Sequence, residues 1–449
     1  MQLRKSLFVA IPFIAATACE RAVPTETPDV RLPSFAAAPA PILLSETTWG
    51  GAANDVTEGA AVAPDGSSYL VGLTTSFGGS APKLFTVKFD ATGSLVWQRT
   101  WDGPAQFSGD EGRDAAVASD GAVYVTGSTF VDGNGALLLK FDSEGTLLWQ
   151  RVFGGNASGE GVVVGSDGSV YVTGAARDAG GADNLFVARF SPEGTVVWFK
   201  EWGNDGFSEQ GQGIAIGPDG DVYVAGVAPR PDDPFQFRFD AVVLKIDPAG
   251  NLVWQRAFPD GDQTDARGGI DVAPDGSVYV GGGFQGPSGS SFVNEGLMLN
   301  ITSAGDLVWA RRFDGGFVEA VAAASDGRAV FVGQTGFEGE NDAFVLRLAP
   351  NGKTVDASTW GGLGLDGGRG VGIAADGTIS LGAFAESPPY TFARARGRTS
   401  RARITASIPT LALVDVARVA TDPLGIVETP AGTTTYAGQI EAALIRLTP

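Results

Sequence analysis

Two short apolar runs joined by an Asp-Gly pair recur along most of the chain. The phrase reads AVAPDGSSYLVG at 61–72 and AVASDGAVYVTG at 116–127, and it returns with small changes further on. The Asp-Gly pairs begin at residues 65, 120, 167, 219, 275, 326 and 376. Because Asp-Gly supplies the positive φ values that tight hairpin turns need, each phrase predicts a β-hairpin.

A second hairpin lies between successive copies of the first. Its apolar runs are joined by a glycine turn, as in LFTVKFDATGSLVWQRTW at 84–101 and VVLKIDPAGNLVWQRAF at 242–258. The turn glycines are Gly93, Gly145, Gly194, Gly250, Gly305 and Gly352. One period is therefore four short strands in about 51 residues, and no stretch shows a helical period.

Four-stranded units of this length predict an all-β fold, a β-propeller. The first strand of each unit is made of Ala, Val and Gly, as expected where blades converge. The fourth strand carries a Trp at the equivalent place in five units, as expected where blades splay apart: Trp97, Trp149, Trp198, Trp254 and Trp309. We expect these tryptophans to pack between blades; a set of ligand-stacking rings is the alternative.

The number of blades depends on the last part of the chain. From Asp415 onward the sequence can be aligned on the unit that starts at Val162, with an Asp-Pro-Leu-Gly turn in place of Asp-Gly. Counting this degenerate copy predicts eight blades in one domain over 43–449. Seven blades is the alternative, if 390–410 form no blade strands. Residues 43–49 match the fourth strand of a unit, so we expect them to pair into the last blade and close the ring.

The repeat also carries a family resemblance. Trp-Gly-Gly, an acidic residue and then Gly-Val-Ala-Val-x-x-Asp-Gly-x-Val-Tyr-Val-Thr-Gly resemble the bacterial SBBP (seven-bladed β-propeller) repeat over roughly 43–385. This resemblance implies an exported or surface protein without an assigned activity. The chain is more distantly similar to quinone-cofactor dehydrogenase propellers, but it has no matching cofactor constellation.

The N-terminus predicts export. Arg4 and Lys5 precede a short apolar run, and Ala16, Thr17 and Ala18 lead into Cys19, the single cysteine of the protein. Residues 1–18 resemble a bacterial lipoprotein signal that is cleaved before Cys19, whose lipid would anchor the protein to a membrane. Ordinary secretion with an incidental cysteine is the alternative. Residues 19–42 are rich in Pro and Ala and predict a tether.

Composition excludes several classes of function. The chain has no His and one Cys, which excludes His-ligated metal centres, Ser-His-Asp triads and intramolecular disulfides. The formal net charge of −20 argues against nucleic acid as a partner. An apolar share of 43% argues against a disordered chain.

Each predicted unit places a carboxylate in the loop that enters its first strand. Five lie ten residues before the turn Asp, and three lie seven residues before it: Asp55, Asp110, Glu209, Asp265 and Asp366, then Glu160, Glu319 and Asp415. If the first strand is innermost, these eight residues ring one mouth of the channel. They could accept backbone N–H bonds that order a Gly-rich loop. They could instead bind calcium, or supply a catalytic pair.

A basic cluster stands out in this acidic chain. It consists of Arg394, Arg396, Arg398, Arg401 and Arg403. Alternation would put the first three on one face of a strand. They could pair with nearby carboxylates at a solvated edge, or form a patch for phosphate, a sulfated glycan or an acidic protein.

Together these features predict a lipid-anchored, non-enzymatic binding scaffold of the bacterial cell envelope. Its partner would be a protein or a glycan, with no nucleic acid and with the membrane met only through the lipid. We expect a monomer, no certain cofactor and calcium as the one candidate ion. The alternatives are a carbohydrate-active enzyme that uses Asp and Glu, and a purely structural surface component.

Overall fold

The computed structural model describes residues 41–449 except 79–80, 104–108, 131–134, 204–205, 231–237, 260–262, 289–290, 336–340, 363, 387, 395–398, 403, 405–406, 408–410, 412, 417–419, 422–425 and 431–438. Its elements are all strands, which confirms the predicted all-β class. Among these residues no helix has the length and apolar character needed to cross a membrane.

The first half of the chain follows the predicted four-strand period. After β1 (Leu43–Trp49), blade 1 consists of β2 (Asp55–Val62), β3 (Ser68–Thr74), β4 (Lys83–Phe89) and β5 (Leu95–Asp102). Blade 2 consists of β6 (Glu111–Val117), β7 (Val123–Thr129), β8 (Gly135–Phe141) and β9 (Leu147–Phe153). Blade 3 consists of β10 (Ala157–Val164), β11 (Val170–Arg177), β12 (Asp183–Phe190) and β13 (Val196–Trp202). Blade 4 consists of β14 (Gln210–Ile216), β15 (Val222–Pro229), β16 (Phe239–Ile246) and β17 (Leu252–Phe258).

The second half departs from the period after blades 5 and 6 and the first two strands of blade 7. Blade 5 has a split first strand, β18 (Gln263–Thr264) and β19 (Ile270–Val272), followed by β20 (Val278–Ser288), β21 (Ser291–Ile301) and β22 (Leu307–Phe313). Blade 6 consists of β23 (Gly316–Ala323), β24 (Ala329–Thr335), β25 (Ala343–Leu348) and β26 (Thr354–Gly361). Then come β27 (Gly367–Ile373), β28 (Ile379–Ala385), the short β29 (Thr391–Arg394), β30 (Thr399–Arg401), β31 (Leu413–Asp415) and β32 (Ile426–Glu428), and finally β33 (Glu441–Leu447).

The described strands form seven sheets arranged as a ring, so the predicted count of eight blades is wrong and the alternative of seven applies. The first strands contact one another in the order β2, β6, β10, β14, β19, β23, β27 and back to β2, which closes the ring around a channel. Small residues are required there. A Cβ on Gly59 would come within 2.5 Å of the Arg113 carbonyl oxygen, and one on Gly370 within 2.3 Å of the Ala60 nitrogen.

The predicted closure by the N-terminal strand is confirmed. Blade 7 has the order β27-β28-β33-β1, so the two ends of the propeller domain share one sheet. β1 runs antiparallel to β33, with Trp49 opposite Ala442 and Thr47 opposite Leu444. This pairing gives blade 7 its outermost strand and leaves no opening in the ring.

The described residues between 386 and 440, a stretch that the sequence assigns in part to an eighth unit, lie along the outer edges of the blades, and we call them the belt. Within the belt, β29 pairs with β26 of blade 6, β30 with β22 of blade 5, β31 with β13 of blade 3, and β32 with β5 of blade 1. Isolated bridges join Ser407 to Ala257 of blade 4 and Thr421 to Val152 of blade 2. The belt therefore leaves blade 7, passes the other six blades in reverse order and returns as β33.

Side chains fix the belt at the seams between blades. Val427 packs against the core shared by blades 1 and 2, and Ile404 lies in the core shared by blades 4 and 5. Trp49 donates its indole N–H to Gln98 Oε1 at 2.6 Å, and the Gln98 amide nitrogen donates to the Pro430 carbonyl at 2.7 Å. This chain of hydrogen bonds links blade 7, blade 1 and the belt.

The five repeated tryptophans lie between blades, as predicted. Each donates its indole N–H to a carbonyl in the turn of the next blade, at 2.8–3.3 Å; the acceptors are Ser143, Pro192, Pro248, Ser303 and Pro350. The guanidinium of Arg99 lies 5.5 Å from the ring centroid of Trp97, and Arg151, Arg256 and Arg311 repeat this contact. Four seams thus add a cation–π contact to the hydrogen bond.

Replacing Trp49 with Ala tests the closure. Trp49 is 1% exposed and its ring centroid lies 4.6 Å from that of Phe85, so truncation leaves a cavity and an unpaired Gln98. We expect Trp49→Ala to lower the free energy of unfolding by about 3–5 kcal/mol, measured by urea unfolding. Val96→Ala is the control, because Val96 is 53% exposed and should cost less than about 0.5 kcal/mol. Equal midpoints for the two variants would contradict this role of β1.

Candidate functional site

The innermost strands of six blades carry a β-bulge at the same position. The register shifts at Glu58 in β2, Arg113 in β6 and Glu160 in β10, and likewise at Gln212, Glu319 and Arg369 in β14, β23 and β27. A bulge leaves one residue unpaired and re-aims its side chain. Each bulged residue is polar or charged, and we call these six side chains the channel ring.

The charged members of the channel ring meet across blade boundaries. Arg113 Nη1 lies 3.7 Å from Glu58 Oε2 of blade 1, and Arg113 Nε lies 3.8 Å from Glu160 Oε2 of blade 3. Arg369 Nη1 of blade 7 lies 3.3 Å from Glu319 Oε2 of blade 6. Because the members come from adjacent innermost strands, these contacts place the ring at the channel wall.

The channel ring is partly shielded from water. Glu58, Glu160 and Glu319 have side chains 15%, 21% and 17% exposed, against 34% for Arg113. Burial raises the pKa of the three glutamates, and the neighbouring arginines offset part of that rise. Three glutamates and Glu111, which pairs with Arg113, face two ring arginines. The site therefore favours neutral or positively charged groups over anions.

Two further aspartates join innermost strands of adjacent blades. Asp114 of β6 accepts the backbone N–H of Val162 in β10 at 2.9 Å, and Asp271 of β19 accepts that of Ala323 in β23 at 2.8 Å. Burial raises the pKa of Asp114 to about 7 and that of Asp271 to about 6, although two backbone N–H donors to each carboxylate act in the opposite direction. These carboxyl groups hold the channel wall together and titrate near neutral pH.

Three of the predicted rim carboxylates are buried at blade entries. Asp55, Asp110 and Asp366 are fully buried and accept the backbone N–H groups of Gly51, Gly103 and Gly362 at 2.7–2.8 Å. Asp55 also accepts hydrogen bonds from the Thr74 and Ser76 hydroxyls. Burial raises the pKa of all three carboxyls. The geometry matches loop ordering by backbone hydrogen bonds.

The other predicted carboxylates lie in three different settings. Glu209 is 2% exposed at the entry of blade 4, and Asp265 accepts the Gly283 N–H at 2.7 Å. Glu160 and Glu319 belong to the channel ring. Asp415 lies in the belt, where it pairs with Lys200 at 2.7 Å and is 77% exposed, far from any channel mouth. The eight carboxylates thus do not form one rim.

Within the described residues, no group of three or more Asp, Glu, His or Cys side chains is close enough to hold a metal ion. Calcium binding at the predicted carboxylates remains a prediction. A calcium site needs six to eight oxygen ligands around one point. The carboxylate oxygens of Asp55 instead accept hydrogen bonds from Gly51, Thr74 and Ser76.

The predicted arginine cluster belongs to the belt. The backbone of Arg394 pairs with Ser358 of blade 6, and that of Arg401 pairs with Arg311 of blade 5. Arg396, Arg398 and Arg403 lie outside the described residues. The backbones of Arg394 and Arg401 therefore lie at the outer edges of two blades, and anion binding by the cluster stays a prediction.

Sequence analysis identified Glu160 and Glu319 but missed Glu58, Arg113, Gln212 and Arg369. All six lie seven residues before the turn Asp of their units. A search for acidic residues at that position finds only the two glutamates and misses the basic and neutral residues of the channel ring. The signal that would find all six is a polar side chain, of any charge, in a strand of small and apolar residues.

The two faces of the ring differ in how much their loops vary. At one face every connection is a tight turn with a left-handed glycine, such as Gly66 and Gly93. At the opposite face the loops between second and third strands differ widely in length: 75–82, 130–134, 178–182, 230–238, 336–342 and 386–440. We call these the uniform face and the variable face. The innermost strands enter from the variable face, close to the bulges of the channel ring.

Comparisons with known proteins find one family model and several solved structures that are similar to this chain. A family model described as outer membrane protein assembly factor BamB matches residues 85–228. No curated protein matches the chain. Similar solved structures include a protein of unknown function from Bacteroides caccae, with 14% identity over 64% of this chain and 92% of that one, at a TM-score of 0.39. A protein of unknown function from Dyadobacter fermentans DSM 18053 is 10% identical over 91% and 100%, at 0.42. A structure described as the Dos1 propeller is 8% identical over 81% and 95%, at 0.41.

The raised pKa values of Asp114 and Asp271 predict how stability depends on pH. A carboxyl with a raised pKa in the folded state binds protons more tightly than in the unfolded chain, so its contribution is present at low pH and is lost as pH rises toward 7. No histidine titrates in this window. We expect the protein to be more stable to urea at pH 5 than at pH 8.

The double variant Asp114→Asn, Asp271→Asn separates this effect from general charge repulsion. Its absolute stability should fall, because an amide cannot accept both backbone N–H bonds. The quantity compared is the difference in urea midpoint between pH 5 and pH 8, which should shrink in the variant. An unchanged difference would show that other groups set the pH dependence.

Proposed function

We propose that this protein is a non-enzymatic binding scaffold of the bacterial cell envelope that meets a protein or glycan partner at its variable face. The observation that carries the proposal is the concentration of loop variation at the same face as the entry to the channel ring. Binding residues gather on loops that a rigid frame holds in place. The uniform face, in contrast, consists of near-identical turns.

The variable face includes one long paired hairpin. The hairpin of β20 and β21 is the longest of the ring, with 11 residues in each strand. Pairing continues to its tip, where Ser288 lies opposite Ser291. A paired hairpin presents its tip at little additional cost in conformational entropy, which favours binding.

The charge of the channel ring adds selectivity to this face. Its two arginines lie among four carboxylates, those of Glu58, Glu111, Glu160 and Glu319, so carboxyl groups outnumber guanidinium groups at the ring. A partner with exposed hydroxyl, amide or ammonium groups complements it, while a polyanion is repelled by the ring and by the net charge of −20.

Two features support the envelope as its location. The match of residues 85–228 to the BamB family model is to a family that is named for outer membrane protein assembly. The lipoprotein signal at 1–18 would place a lipid on Cys19, and the Pro- and Ala-rich residues up to 42 would tether the propeller to the membrane.

Photo-cross-linking in living bacteria tests which face binds. A photoreactive residue in place of Leu365, which is 42% exposed on the variable face, should form adducts with a partner. The matched controls are Ala91 and Ser119, exposed in the turns of the uniform face. We expect adducts at Leu365 and none at the control positions. Adducts only at the uniform face, or at no position, would refute the proposed function.

Metabolic labelling tests the anchor. Cells fed a fatty acid with an alkyne tag should incorporate the tag into the wild-type protein and not into Cys19→Ser, because the thiol of Cys19 is the proposed acceptor. The Cys19→Ser protein should also leave the membrane fraction. Label that persists in the variant would contradict lipidation at Cys19.

A further inference from the structure

A polar cavity opens at the variable face between blades 2 and 3. Its volume is about 280 Å³, just below the range of about 300–1,000 Å³ for ligand cavities, which suits a small ligand. Its wall includes Phe130, Asn156, Ser158, Glu160, Arg177 and Asp183. Glu160 also belongs to the channel ring, so the cavity lies beside the channel.

The cavity lies where blade 3 departs from the repeat. The position ten residues before the turn Asp is a buried aspartate in blades 1, 2 and 7, namely Asp55, Asp110 and Asp366. In blade 3 this position is Ala157, which lines the cavity. The carboxylate that orders the entry of those blades is therefore missing at blade 3, as it also is at blade 6, where the position is Gly316.

The backbone beside Ala157 is also unusual. Asn156 has φ of 52°, and among the described residues it is the one non-glycine with positive φ. Such conformations are uncommon outside glycine, and they gather at ligand sites where the surrounding structure holds them in place. Two observations of different kinds, a sequence departure and a backbone departure, thus coincide at one cavity.

The lining combines hydrogen-bonding groups with one aromatic ring. Ser158 and Asn156 supply a hydroxyl and an amide, each of which can donate and accept. Arg177 Nε lies 3.1 Å from Asp183 Oδ1, and Glu160 is compensated by Arg113. Phe130 is 49% exposed at the same wall, so part of its ring is available to pack against a ligand.

This chemistry suits a neutral polyhydroxylated ring. The hydroxyls of a sugar can both donate to carboxylates and accept from guanidinium, amide and serine groups, while its C–H face packs on an aromatic ring. An anion would face Glu160, Asp183 and the acidic field of the protein. A free cation would compete with Arg113 and Arg177, which already neutralise the two carboxylates.

We propose that the cavity between blades 2 and 3 binds one neutral sugar residue of a glycan, with Phe130 as the stacking surface. This proposal rests on the proposed function, because it names the ligand class that the variable face receives. It assigns the asymmetric blade, and not the repeated carboxylates, as the site of recognition.

The test is saturation-transfer NMR on the full-length protein, purified from membranes in a zwitterionic detergent without a sugar headgroup. The probes are the methyl glycosides of glucose, galactose, mannose and N-acetylglucosamine, together with spermidine as a cationic amine. We expect saturable transfer to at least one glycoside. Phe130→Ala should weaken its binding about fivefold or more, and Phe130→Trp should retain it.

Ala157→Asp is the sharper variant, because it restores the residue that blades 1, 2 and 7 carry and should fill the cavity. We expect it to abolish glycoside binding, with its melting temperature recorded to show that it folds. Leu148→Ala is the matched control, because Leu148 is an apolar residue of blade 2 that is 52% exposed and lies outside the cavity. It should bind as the wild type does.

Three results would overturn the proposal. They are the absence of saturable transfer to every glycoside, glycoside binding that survives both Phe130→Ala and Ala157→Asp, and spermidine binding in place of glycoside binding. If any of these occurs while cross-links at Leu365 persist, the sugar assignment fails and the scaffold function stands. Loss of the Leu365 cross-links would instead remove the scaffold function itself.

Discussion

The pairing of β1 with β33 is the contact on which the ring depends. Seven blades pack through narrow innermost strands, and each blade is held in place by its two neighbours. Without β1, blade 7 would lose its fourth strand, and Trp49 would no longer pack on Phe85 of blade 1. Because the two strands are about 400 residues apart in the chain, this contact forms at a large cost in loop-closure entropy and comes with formation of the whole ring.

β1 completes blade 7, and the belt covers the outermost strands of the other six blades. An outermost strand with unpaired N–H and C=O groups is a template for unwanted pairing, and propellers normally leave these edges short. Here one segment reaches all six edges, with strand pairs at four of them and single bridges at two. Both ends of the belt lie in blade 7, in β28 and β33, so the strand that receives β1 also terminates the belt. Closure of the ring and covering of its edges are therefore coupled.

Much of this fold could be predicted from the sequence, because hairpin turns and strand periodicity are local. The Asp-Gly turns, the four-strand unit, the tryptophans between blades and the closing role of 43–49 follow from such patterns. The blade count could not be predicted in the same way. Short apolar runs near 413–415 and 426–428 have the composition of blade strands, yet each pairs with a different blade. Pairing partners across the ring leave no local signal in one sequence.

The candidate site shows a similar division. The positions of the bulged residues can be predicted from the sequence, because a charged residue beside glycine stands out in an apolar strand. Gly112-Arg113 and Gly159-Glu160-Gly161 are examples. The interactions that give these residues their roles cannot be predicted from the sequence, because Arg113 meets Glu58 and Glu160 only after blades 1, 2 and 3 have packed together. Repetition itself then limits what the channel ring can distinguish. A ring of near-equivalent positions recognises general charge and size, whereas a specific ligand needs an asymmetric set of groups. Blade 3 provides that asymmetry by combining Ala157 at the entry position with the positive φ of Asn156 beside the cavity.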